Sequence, residues 1–260
     1  MKNTLLIFLV IIVCFPGASP AELFNNPGTN VGKKNLVVGI SYSYAMHDYA
    51  LDTDKLPTSS KRIMLKVTTG LTDWLDIYIK GGGTNLQLDY MENDSNAIKN
   101  FDSDYKVGFG MGARIRLLNF PDSQTRVFLQ GGGFYFKTDD SIEWEYIDRT
   151  LIKNRDMKWA DYYAGLGIVK RVDFMDITCG VGFSEIQWWM RDTYEIHQGN
   201  SITWDRKDWR DSYEVKNPLF GFFGIDFILP YEYRISAQAG IRDLDNAEVS
   251  IALTQGLERR

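Results

Sequence analysis

Gly70-Leu71-Thr72-Asp73-Trp74-Leu75-Asp76-Ile77-Tyr78-Ile79-Lys80 holds a tight turn, Thr72-Asp73-Trp74, between two segments in which apolar and polar residues alternate. Before the turn, Ile63, Leu65, Val67 and Leu71 share one parity, and Arg62, Met64, Lys66 and Thr68 share the other. After it, Leu75, Ile77 and Ile79 oppose Asp76, Tyr78 and Lys80. A period of two belongs to a β-strand with two unlike faces. One face is almost unbroken apolar surface and the other carries full charges. A soluble sandwich can contain one such hairpin. Repeated along a chain that opens with an export signal, it describes a barrel with lipid outside and polar groups inside.

The signal is a cationic Met1-Lys2-Asn3, an apolar run from Thr4 to Phe15, and Pro16-Gly17-Ala18-Ser19-Pro20-Ala21, with cleavage expected between Ala21 and Glu22. The apolar run falls short of the roughly 20 residues that cross a bilayer as a helix. Loss of Cys14 with the signal leaves Cys179 alone, so neither an intrachain disulfide nor a cysteine metal cluster is expected. With two histidines there is no His-rich metal site, and no cofactor is implied. A net charge of −5 argues against nucleic acid as a partner. The chain divides into a signal peptide over 1–21, a flexible polar lead-in over 22–34, and a barrel over 35–257.

The alternation recurs about ten times, which predicts an all-β, antiparallel, up-and-down transmembrane barrel of about ten strands, within a range of eight to twelve. The first strand carries Leu36, Val38, Ile40, Tyr42 and Tyr44 on one face, and the second and third flank the turn at Thr72. The third runs on through Gly81-Gly82-Gly83 to Leu86, Leu88 and Tyr90, with a phase slip at the glycines that predicts a bulge or a close backbone approach. The fourth sets Tyr105, Val107, Phe109, Met111, Ala113, Ile115 and Leu117 against Lys106, Gly108, Gly110, Gly112, Arg114 and Arg116. A second glycine triplet, Gly131 to Gly133, interrupts the fifth, and both triplets are expected to leave room beside large lumenal side chains. The remaining strands centre on Leu166, Val181, Phe223, Ile235 and Ile251.

Connections after even-numbered strands (Thr72 to Trp74, Pro121 to Gln124, Arg171 to Asp173, Pro230) are short. Those after the first, third, fifth and seventh (Asp52 to Ser60, Met91 to Phe101, Thr138 to Asp156, Arg191 to Asp211) are long. Bacterial barrels sort their connections this way, with short periplasmic turns and long external loops. An exported chain with an even strand number then keeps both termini in the periplasm. Trp74, Phe120, Phe174 and Tyr231 at the short-turn ends, and Tyr44, Tyr90, Trp159 and Trp188 towards the long-loop ends, are expected to form two interfacial girdles.

The hairpin Gly70-Leu71-Thr72-Asp73-Trp74-Leu75-Asp76-Ile77-Tyr78 is similar to the G-L-T-D-x-L-D-L-Y turns of many bacterial outer-membrane β-barrel proteins of the porin and opacity-protein type. The resemblance covers this hairpin in sequence and the rest of the mature chain in style. It implies an outer-membrane location, lipid and the barrel-insertion machinery as partners, and a monomer. Such proteins usually end in an aromatic residue that the machinery reads, whereas this sequence ends Gly256-Leu257-Glu258-Arg259-Arg260.

The polar parity places Arg62, Lys66, Asp76, Lys80, Lys106, Arg114, Arg116, Arg126, Asp176, Asp226, Glu232, Arg234, Arg242 and Glu248 inside. In a barrel of about ten strands the interior is narrow, so these predict a lumen filled by ion pairs and water. The expected role is structural or that of a small passive pore, with a preference for anions because basic residues outnumber acidic ones. Two alternatives remain. Ten-stranded outer-membrane proteases of the omptin type resemble this plan, and their loop Asp-x-Asp and Asp-x-His pairs resemble Asp102-Ser103-Asp104 and Glu195-Ile196-His197. An imidazole and a carboxylate sharing one water would be needed for that chemistry. The other alternative is surface binding or adhesion through the long loops.

Overall fold

A computed structural model describes residues 31, 33, 35–51, 54–88, 101–145, 150–198, 201–211, 218–243 and 246–257. Thirteen strands follow in chain order: β1 (Leu36–Leu51), β2 (Asp54–Gly70), β3 (Leu75–Thr84), β4 (Gln87–Leu88), β5 (Phe101–Asp102), β6 (Lys106–Phe120), β7 (Thr125–Glu145), β8 (Thr150–Val172), β9 (Met175–Gln198), β10 (Ser201–Asp211), β11 (Leu219–Ile228), β12 (Tyr233–Asp243) and β13 (Asn246–Leu257). Among the described residues the only helical element is one 3-10 turn, Pro230–Glu232. Ten strands close a ring, β1-β2-β3-β6-β7-β8-β9-β11-β12-β13, in which every pairing is antiparallel. The last strand pairs with the first from Leu36↔Leu257 to Met46↔Ala247, which closes the ring of ten strands.

Alternation along each strand sorts the two faces. On β3, Asp76, Tyr78 and Lys80 are buried while Ile77 and Ile79 are exposed. On β6, Val107, Phe109 and Met111 are exposed, and on β9 Val181 and Phe183. Val107 is 80% exposed and Val181 64% exposed, values a water-soluble protein rarely allows for a contiguous band. With charged residues inside and aliphatic and aromatic residues outside, the ring is a transmembrane barrel. Cys179 lies on this outer face.

The organising turn is built as its residues dictate. Thr72 Oγ1 accepts from the Trp74 N–H (3.2 Å) and the Leu75 N–H (3.0 Å), a side-chain turn that stands in for backbone pairing. Non-glycine residues with positive φ, Gln124, Asp173, Tyr231 and Glu232, all sit in the short connections.

Several expectations need correction. The glycines of β3 cause no slip: Arg62↔Thr84 and Ser59↔Gln87 keep one register across the triplet. Leu86 and Leu88 therefore stay on the inner face, both buried, because an unbroken ladder preserves parity whatever the side chain. Register shifts fall instead on β6 at Leu117, between Arg116↔Phe128 and Leu118↔Val127, and on β12 between Ile241 and Asp243. Three segments expected as loops are mostly strand: β2 begins at Asp54, β7 and β8 reach Glu145 and Thr150, and β9 and β10 occupy most of 191–211. Their polar residues pair across a ladder that needs no apolar face, as in Asp140↔Arg155 and Arg155↔Asp192. Finally, Trp159 and Trp188 turn inward and are buried, so they belong to no lipid-facing girdle. Tyr90 lies outside the described residues. Trp74, Phe120, Phe174 and Tyr231 are exposed at the short-turn end.

Candidate functional site

The barrel interior holds most of the chemistry of this chain. Towards the short turns, the buried Asp176 carboxylate accepts from Arg171 (2.8 Å to each oxygen), Arg234 (3.1 Å) and Arg126 (3.4 Å). These arginines come from β8, β12 and β7, so one acid ties together separated parts of the wall. Asp226 faces Asp176 in register on β11 and is also buried. Beside them the Asp76 carboxylate accepts from Arg114 at 2.7 and 3.3 Å, joining β3 to β6.

Above this layer the interior is aromatic. Tyr78, Phe128, Tyr163, Val169, Phe220 and Phe222 form one buried cluster. Met64, Leu86, Leu88, Phe134, Phe136, Met157, Trp159, Ile186 and Trp188 form a second, closer to the long-loop end. Cations are woven between them: Lys66 lies 4.2 Å from the Tyr78 ring centre, with Arg62 (4.8 Å) and Lys80 (4.9 Å) over Phe134. Such contacts are worth more when water is excluded. Arg62 also approaches Asp161 at 3.9 Å, and Arg242 donates to the Ser184 hydroxyl.

Inward glycines make this filling possible. A Cβ on Gly180 or Gly167 would collide with the Phe222 ring, and one on Gly112 or Gly132 with the Tyr78 hydroxyl. Gly83 and Gly133 instead sit beneath the outer rings of Tyr105 and Tyr162. Opposite the bulky wall of β2 to β9, the inner positions of β1, β12 and β13 are mostly small, including Ser41, Ser43, Ser236, Gly240, Ser250 and Ala252. The crevice left between Lys66, Thr68, Asp76, Tyr78, Arg114 and Gln130 measures about 20 Å³, room for one water.

Of the fourteen polar positions picked out by parity, Arg62, Lys66, Asp76, Lys80, Arg114, Asp176, Asp226, Arg242 and Glu248 are buried, and Arg126 and Arg234 are partly covered. Lys106 lies at the long-loop rim, 2.9 Å from Asp139, and Arg116 at the other rim, donating to the Asp73 carbonyl. Glu232 is exposed, outside the lumen: β12 starts only at Tyr233, and Glu232 sits in the preceding turn with φ 62°. Parity put Tyr78 inside with Asp76 and Lys80, but it did not pick out the other rings of the aromatic filling. The available signal was a ring at a polar-parity position beside inward glycines, as at Tyr78 and Phe128.

Asp102 and Asp104 line an open acidic cleft at the long-loop end together with Lys106, Asp139, Asp140, Asn154, Arg155 and Asp156. His197 Nε2 is 3.3 Å from Glu195, which also accepts from Asn154 (2.9 Å). Glu195 and His197 share the outward parity of Val181 and Phe183, and neither lines that cleft. Asn154, which lines the cleft and donates to Glu195, is the residue the two pairs have between them.

The lead-in also differs from expectation. Val31 is buried and its N–H reaches the Asp76 carboxylate at 3.5 Å, while Lys33 pairs with Gly70. At these two residues the segment is docked, not loose.

No family model and no curated protein matches the chain. Among solved structures its fold is similar to the translocator domain of the autotransporter NalP from Neisseria meningitidis, at 9% identity over 90% of this chain and 92% of that one, TM-score 0.49. It is also similar to the outer membrane protease OmpT from Escherichia coli, at 10% identity over 85% and 94%, TM-score 0.43. A third is the outer membrane protein OprG from Pseudomonas aeruginosa, at 10% identity over 89% and 100%, TM-score 0.41. The proteins found this way are outer-membrane β-barrels of varied roles. Identities of this size concern the fold alone.

Proposed function

We propose that this chain is a structural barrel of the outer membrane with a closed lumen, its short turns and both ends on the periplasmic side. It sits in lipid as a monomer delivered by the barrel-insertion machinery. The observation that supports this reading is the filling of the interior by two clusters of large buried side chains, set opposite the mostly small inner residues of β1, β12 and β13. Among the described residues, the crevice beside the Asp76–Arg114 pair is water-sized. A passive anion pore would need a continuous path past both clusters. The β7–β10 sheet, which continues beyond the apolar band, is the part such a barrel presents outward.

Planar-bilayer recording of the refolded chain tests the reading. The expected trace has no discrete, stable conductance steps. Steps of uniform size, altered by Arg114→Gln, would overturn the closed-lumen reading in favour of a pore. Incubation with basic peptides separates the hydrolase alternative: no cleavage is expected, and cleavage abolished by His197→Ala would contradict the structural role.

A further inference from the structure

Two like-charge pairs face each other across β7 and β8 at the long-loop end. Lys137 stands directly opposite Lys158, and two residues further out Asp139 stands directly opposite Asp156. Like charges in direct cross-strand register destabilise a sheet. Other contacts relieve three of the four residues: Lys137 lies 3.7 Å from Asp156, and Lys106 lies 2.9 Å from Asp139. Lys158 is exposed and makes no ion pair among the described residues.

The lysines lie where the apolar band ends. They alternate with the buried Phe136, Thr138, Met157 and Trp159, so both point out of the barrel. Below them on the same face come Tyr135 on β7, Tyr162 on β8 and Phe109 on β6. The Phe109 and Tyr135 ring centres are 5.5 Å apart, and Phe109 and Tyr162 are exposed. Rings at such an edge mark the headgroup level of a bilayer. Two residues along a strand cover about 7 Å, so the lysines stand just beyond that level and reach it through their flexible stems.

From this geometry we infer that the outer face of β7 and β8 seats an anionic lipid headgroup, its phosphate between Lys137 and Lys158 and its acyl chains over the apolar band of β6 to β8. A phosphate placed between two opposed ammonium groups turns their repulsion into two charge-assisted contacts. The next row out, acidic at Asp139 and Asp156 before Arg191 on β9, bounds the seat on its water side and fixes the depth of the phosphate. Asp156 also competes with the phosphate for Lys137. The seat belongs to the outer face alone and holds whether the lumen is open or closed.

Native mass spectrometry of the mature barrel in an uncharged maltoside detergent tests it, with phosphatidylglycerol and phosphatidylcholine of matched acyl chains as probes. Retention of the unboiled gel mobility shows that each variant is folded. Phosphatidylglycerol is expected to be held in preference to phosphatidylcholine. Lys158→Gln should weaken its retention, and Lys137→Gln with Lys158→Gln should weaken it about tenfold or more, the scale of two lysines at an anionic surface. Lys61→Gln removes one charge two residues beyond the exposed Ile63, but opposite Tyr44, and should leave retention nearly unchanged. Asp156→Asn, which removes the competitor for Lys137, should strengthen it. Equal retention of the two lipids, equal losses in Lys61→Gln and Lys158→Gln, or weaker retention in Asp156→Asn would each overturn the seat. Displacement of phosphatidylglycerol by inorganic phosphate would overturn the lipid occupant in favour of a soluble anion.

Discussion

Asp176 is the residue on which most of the inner electrostatics converge. It is fully buried and receives three partly covered guanidinium groups, so its removal leaves three cations crowded together without their shared acid. Breaking a buried pair from one side costs on the order of 3 kcal/mol, because the partner keeps its desolvation penalty. Asp176→Asn is therefore expected to lower the urea midpoint of the folded barrel by a corresponding amount. Asp156→Asn, which loses an exposed pair with Lys137 at 3.7 Å, should change it by less than about 0.5 kcal/mol. Equal effects would mean that water reaches Asp176 as freely as the surface. The glycines divide in the same way. A methyl on Gly180 meets the Leu166 carbonyl and the Phe222 ring closer than 3.0 Å, so Gly180→Ala should cost about 1–3 kcal/mol by the same unfolding measurement. Gly81→Ala meets nothing nearer than 3.6 Å and should be tolerated. Charge positions such as Asp76 and Arg114 were legible in the sequence because parity alone places them inside. Their partners were not, since Asp76–Arg114 and Asp176–Arg126 join residues 38 and 50 positions apart.

At the scale of elements, strand identity was legible and strand length was not. The alternation of β6 from Lys106 to Arg116 could be read directly, because one of its faces meets lipid. Beyond the apolar band β7, β8 and β9 mix charged and apolar residues on both faces, the clean alternation disappears, and pairing continues on backbone hydrogen bonds that leave no mark in the pattern. The same blindness placed Trp159 and Trp188 on the outside: an aromatic residue near a strand end looks alike whether it points to lipid or into the barrel. These extensions should be the less protected part of the wall. Amides of Asp139 to Glu145 are expected to exchange hydrogen faster than those of Phe128 to Phe134 on the same strand. Uniform protection along β7 would show that the extension is as tightly held as the membrane-embedded ladder.

The molecule as a whole is a closed hydrogen-bonded ring whose inside is packed and whose outside is apolar. The even strand number and the pairing of β1 with β13 followed from counting alternating segments and sorting turns by length. The pairing of the lumenal rings did not, because it depends on rings from β3, β7, β8 and β11 meeting glycines on neighbouring strands, a match that only the register supplies. Closure predicts a heat-modifiable band: the unboiled chain should migrate differently from the boiled one in detergent, and identical mobility would argue against a closed ring.

The inside-out arrangement is tested most directly by quenching in single-tryptophan chains that retain Trp74, Trp159 or Trp188 alone, reconstituted in bilayers. Brominated lipids should quench Trp74, and neither brominated lipid nor aqueous iodide should quench Trp159 or Trp188. Lipid quenching of Trp159 or Trp188 would turn those strands inside out, and iodide quenching would mean that the lumen is open to water.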